Sequence, residues 1–132
     1  NADALLGYDL LILGIPTWYV GEPQDDWIDI LRALDEVTFD GTPFAVFGHG
    51  DQVGYANNFH DGLGILYDKM IQRGATGKLG FTSTEGYNFN ASKGMIEGMF
   101  CGLALDDDNQ PDLTKGRIET WCEALMNQLN PA

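Results

Sequence analysis

Two short stretches carry residue types that could hold a flat, conjugated molecule. Gly14-Ile15-Pro16-Thr17-Trp18-Tyr19-Val20-Gly21-Glu22 follows the apolar run Leu10 to Ile15, so it reads as a loop leaving a core strand with two adjacent aromatics. Gly48-His49-Gly50-Asp51-Gln52-Val53-Gly54-Tyr55 follows the next apolar run and offers a third ring. Aromatics on loops at the carboxyl ends of neighbouring core strands share one edge of a sheet, where their rings can sandwich a planar ligand. The alternative is that Trp18 and Tyr19 only cover the end of the core.

Other chemistry has weaker support. His49 and His60 make a metal pair only if a third ligand joins them, and the sequence points to none. His60 reads as a helix-start residue, and Asp61 as a capping carboxylate beside it. Asp51 with Asp61 would make an acid–base pair only if one pKa were raised. Asp106-Asp107-Asp108-Asn109-Gln110-Pro111-Asp112 superficially resembles a calcium loop, but it lacks the glycine at the sixth position and the closing glutamate. It reads as an acidic, solvated loop. Cys101 and Cys122 fit neither a disulfide framework nor a metal spacing, and both read as buried thiols.

The elements that must position the aromatic loops follow from periodicity. Asp9 to Ile15 and Phe44 to Phe47 read as buried strands, since their apolar residues run without alternation. Trp27, Ile28, Leu31 and Leu34 mark a helix face, with Asp25 or Asp26 as its cap. Phe59, Leu63, Leu66 and Met70 mark a second helix that stops at Arg73-Gly74. Thr76 to Phe81 is a weaker strand, 82–105 is irregular, and Leu103 to Leu105 resumes a strand. Ile118, Trp121, Cys122, Leu125 and Leu129 mark a last helix with Thr114 as its cap. Strands alternating with helices predict a parallel sheet with right-handed crossovers, an α/β class.

The charge limits the partners. Twenty acidic against seven basic residues give a formal net charge of −13. That disfavours nucleic acid and anionic membrane and favours a basic protein partner, although acidity also serves solubility alone. No apolar run reaches transmembrane length and no leader pattern stands at the start, so the expectation is a cytosolic protein. On that expectation the sequon Asn90-Ala91-Ser92 carries no glycan.

The residues also resemble a known family. Pro16-Thr17-Trp18-Tyr19-Val20-Gly21-Glu22, with Gln24 and Asp26-Trp27, is similar to the first ring-binding loop of long-chain flavodoxins. Gly48-x-Gly50-Asp51-Gln52-Val53-Gly54-Tyr55, with Asn58-Phe59 and Asp61-Gly62, is similar to the second. Thr84 to Phe89 and Gly102 to Gln110 resemble the segment peculiar to the long-chain branch, of the cyanobacterial and algal type. The resemblance implies one flavodoxin-like domain over residues 1–132, a doubly wound parallel sheet with helices on both faces, with 82–105 as the long-chain insertion.

It also implies a function: an electron carrier, not an enzyme, holding FMN non-covalently. Trp18 would cover the inner face of the flavin and Tyr55 the outer. Backbone groups of Thr17, Trp18, Gly50 and Asp51 would meet its polar edge, with Asn58 supporting and Gly21 closing the first loop. The Tyr19–Val20 peptide matches the one that flips to accept the proton gained on reduction, and β-branched Val20 makes that flip costlier than glycine would. Glu22, Asp25, Asp26 and Asp51 would lower the potential and steer basic redox proteins, such as a pyridine-nucleotide-dependent flavodoxin reductase.

One part of the family pattern is missing. Flavodoxins begin with a strand and a Ser/Thr-rich loop that cradles the FMN phosphate, and this chain opens where their third strand is about to start. The expectation is a sheet without its first two strands, leaving Leu10 to Leu13 as an apolar edge. The chain would then be a piece of a longer protein, a truncated one, or half of a pair. The alternative function is a fragment that no longer binds FMN and only folds or associates.

Overall fold

In a computed structural model of the chain, residues 3–18, 22–23 and 25–129 are described, without the side chains of Trp18, Glu22, Pro23, Asp25 and Asp26. Tyr19, Val20 and Gly21 lie outside the described residues.

Three parallel strands form the sheet. Strand β1 (Leu11–Gly14) pairs with β4 (Phe44–His49), and β4 pairs with β7 (Leu103–Leu105). Between β1 and β4 come a two-residue antiparallel pair, β2 (Thr17–Trp18) and β3 (Glu22–Pro23), and helix α1 (Asp25–Leu34). The stretch expected as a plain loop is therefore partly a hairpin. Helix α2 (Asp61–Gln72) follows β4, and α3 (Pro111–Leu129) follows β7.

Strand parity divides the core. Leu11, Leu13, Phe44 and Val46 point to one face and pack with Leu63, Leu66 and Met70 of α2 and Leu34 of α1. Ala45, Leu103 and Leu105 point to the other, against Trp121 and Leu125 of α3. Leu63, Leu66 and Met70 of α2 are fully buried as their spacing predicts, whereas Phe59 lies before the helix and is buried in a separate cluster with Phe100 and Ala104. The helix stops at Gln72 with Arg73 as its C-cap, and the next residue, Gly74, has a φ of 93° that suits a residue without a Cβ.

Several expectations need correction. Strand β1 alternates instead of being buried throughout. Ile12 is 50% exposed, because it shares the α3 face at the β1 edge and α3 packs on β7. Residues 76–81 form no strand; Thr76 makes only an isolated bridge to Pro43. Residues 82–105 contain a tight hairpin, β5 (Met95–Ile96) with β6 (Met99–Phe100), turned by Glu97 and Gly98 at positive φ. The segment is anchored by rings: Phe59 lies 5.7 Å from Tyr87, 5.1 Å from Phe89 and 5.8 Å from Phe100. Helix α3 opens on Pro111 at its first position, where a missing N–H costs nothing, so Thr114 is not its cap. Cys101 is buried but Cys122 is exposed.

Candidate functional site

The carboxyl ends of all three parallel strands open onto one cavity of about 350 Å³. Pro16 and Thr17 line it from beyond β1. His49 at the end of β4 adds a wall with Gly50, Asp51 and Tyr55, and Asp107 and Asp108 line it from beyond β7. A parallel sheet places its βα loops side by side, so this convergence follows from topology.

Each loop is tied down. After β1, Thr17 Oγ1 accepts the Gly62 N–H at 2.9 Å, joining this loop to the first turn of α2. After β4, Gly50 N–H donates to the Leu105 carbonyl at 2.9 Å. Asp51 Oδ1 then accepts the N–H groups of Gly54 at 2.7 Å and Val53 at 3.1 Å, an Asx turn that carries the chain round to Tyr55. A Cβ at Gly54 would stand 2.5 Å from Asp51 Oδ2, so a larger residue there would push the carboxylate aside. The Tyr55 side is 41% exposed, a large ring at a cavity mouth.

The third loop is the part that sequence reasoning missed. Asp106 is fully buried, not solvated. Its Oδ2 accepts Gln52 N–H at 3.0 Å and the Gln52 amide at 2.8 Å; its Oδ1 accepts Asn109 N–H at 3.0 Å. Burial pushes the Asp106 pKa up, but the donors from Gln52 and Asn109 together hold it below the ordinary carboxylate value. Asp51 is lowered too, chiefly by the Gly54 N–H and then by the Asn109 amide. The available signal was the triplet Leu103-Ala104-Leu105: a strand end makes the next carboxylate a loop anchor.

His60 supports the centre from below. It is fully buried and left-handed (φ 56°, ψ 31°) at the N-cap of α2, with no side-chain capping bond. Its Nε2 lies 2.9 Å from the Leu105 carbonyl, which fixes Nε2–H as the donor. A Cβ at Gly50 would stand 3.1 Å from its ring, so the loop rests on the imidazole. Burial lowers the His60 pKa to about 4, so the ring is neutral at pH 7. His49 is half exposed, with Nδ1 3.6 Å from Asp107.

Of the residues expected to bind a ligand, the structure brings Thr17, Gly50, Asp51 and Tyr55 to the cavity. The Trp18 backbone stands in β2, next to Thr17. Asn58 does not line the cavity. It donates to Asp61 Oδ2 at 3.0 Å and so closes the loop onto α2. Asp61 is not a cap; its Oδ1 accepts Lys93 N–H at 2.7 Å and holds the 82–105 segment.

Comparison with known proteins places this geometry in context. The family model described as Flavodoxin matches residues 1–121. A flavodoxin of Synechococcus elongatus is 52% identical over 130 residues, covering 97% of this chain and 76% of that protein. A flavodoxin of Nostoc is 52% identical over 121 residues, covering 92% and 71%. Among solved structures, a Fusobacterium nucleatum flavodoxin bound to flavin mononucleotide superposes with a TM-score of 0.83 at 37% identity, over 91% of this chain and 71% of that one.

Proposed function

Because this chain belongs to the flavodoxin family, we propose that it carries electrons on non-covalently bound FMN, as a carrier and not an enzyme. The observation that supports this most is the single cavity at the carboxyl ends of β1, β4 and β7, with Tyr55 at its mouth. The residues present fit the ring system. Between the His49 and Asp51 side chains, Gly50 offers only backbone to the cavity, and a Cβ there would press on the His60 ring.

Bound FMN supplies the redox chemistry; the chain positions it and sets its surroundings. Tyr55 would cover one ring face, and the family resemblance assigns the other to Trp18, whose side chain is not described. Gly50 has already given its N–H to Leu105, so the polar edge is met by its carbonyl and by the backbone of Thr17, Trp18 and Asp51. The family resemblance implies that the Tyr19–Val20 peptide, outside the described residues, would turn its carbonyl to accept a hydrogen bond from the ring N–H formed on reduction. Asp51, Asp107 and Asp108 line the same cavity, and their negative field opposes adding further negative charge, which lowers the reduction potential.

This protein passes its electrons to other redox proteins. Its net charge of −13 selects basic partners, and a pyridine-nucleotide-dependent flavodoxin reductase is the class that fits. The motifs at Thr84–Phe89 and Gly102–Gln110 support a long-chain member with its insertion at 82–105, within one flavodoxin-like domain. A cytosolic location fits the absence, among the described residues, of any helix long and apolar enough to cross a membrane. The test is to photoreduce the chain with FMN and mix it with oxidised cytochrome c, a basic one-electron acceptor. Reduction faster than with free FMN is expected; equal rates overturn the reading.

A further inference from the structure

We infer that the protein has a second ligand site, beside α3, that takes a small planar aromatic carboxylate. A cavity of about 560 Å³ lies between α3, β7 and the 81–87 segment, and it shares no lining residue with the cavity at the strand ends. That volume is ordinary for a small-molecule site. Its walls are aromatic and fixed. Trp121 is 5% exposed and donates Nε1–H to the Gly80 carbonyl at 2.8 Å; Tyr87 donates its hydroxyl to the Ala104 carbonyl at 2.5 Å. Phe81 and Leu103 complete the apolar wall.

One charge in this wall is unbalanced. The Arg117 guanidinium carbon stands 4.0 Å over the Tyr87 ring. Its Nη1 is shut off from solvent and has no hydrogen-bond partner, and among the described residues Arg117 makes no ion pair. What sets Arg117 apart from the other basic residues without an ion pair is that its unpartnered Nη1 is shut off from solvent. Glu85 and Asp112 line the same cavity without pairing with it. Desolvating an unpaired cation is costly, and a ligand carboxylate would relieve that cost while its ring packs on Trp121 and Phe81. A single negative charge suits the site better than a phosphate, because Glu85 and Asp112 would oppose a second.

The site can be tested without reference to FMN. 2-Naphthoate is titrated into the full chain, and the Trp121 indole N–H is followed by NMR, assigned with Trp121→Phe. A saturable shift is expected, with 2-naphthalenemethanol binding at least tenfold more weakly. Arg117→Met, which keeps the aliphatic stem, should lose the preference for the anion. Equal binding of the neutral and anionic probes by the unaltered chain overturns the proposal, whatever the variant does. So does the lack of a saturable shift at Trp121.

Discussion

The side-chain amide of Asn109 donates to Asp51 Oδ1 at 2.7 Å, tying the loop after β7 to the loop after β4 across 58 residues of sequence. The same amide lies 2.9 Å from Asp106 Oδ2. One asparagine thus holds two carboxylates whose pKa values are both lowered. The cavity keeps its shape because these loops are cross-braced, while the strands beneath supply only their direction.

Asn109→Ala should therefore loosen the Asp51 turn without unfolding the sheet. The expected loss is about 1 kcal/mol of stability, the usual net worth of such a bond, and flavin binding weakened several-fold. Denaturant melts and a fluorescence titration measure the two. An unchanged flavin affinity would show that the brace does not shape the cavity.

His60 predicts a stability slope in mild acid. Its pKa falls from 6.5 unfolded to about 4 folded, so the unfolded state binds the proton more tightly. Stability is fully present above pH 6.5 and is lost as the pH falls from there toward 4. A shift of that size corresponds to about 3 kcal/mol in all. His60→Asn, which tolerates the left-handed backbone, should remove this slope; urea melts between pH 4 and 7 read it. Asp51 and Asp106 act lower. Their pKa values are depressed, so their contribution is lost only as the pH drops below the ordinary 3.8.

Charge steering predicts a salt dependence. With a net charge of −13, electron transfer to a basic acceptor such as cytochrome c should slow steeply as ionic strength rises from about 0.01 to 0.15 M. Stopped-flow rates at several salt concentrations measure it, and a flat response would remove the steering claim.

Much of this was legible in the chain, and for identifiable reasons. Phe59, Leu63, Leu66 and Met70 repeat at helical spacing, and all four are buried. The apolar runs before Thr17 and Gly50 gave the two strands, and hence the edge where Thr17, Gly50, Asp51 and Tyr55 meet. The motif resemblance gave the family. Hidden from view were features fixed by distant contacts. Asp106 looks like one acidic residue in a solvated run, yet Gln52, 54 positions away, makes it a buried anchor. Residues 82–105 show no period because their aromatics gather in one cluster, on Phe59 and on each other, and not along a single helix face or strand. Ile12 reads as core because a run of apolar residues cannot show that one sheet face is open at β1.

The most direct test of the central claim is a titration of the chain with FMN, and in parallel riboflavin, followed by flavin fluorescence. Stacking against Tyr55 and Trp18 should quench the emission saturably, and Tyr55→Ala should weaken binding by roughly tenfold or more, in line with the loss of one aromatic stack. Emission that is unquenched by the chain, or binding indifferent to Tyr55→Ala, would contradict the assignment of this cavity to the flavin.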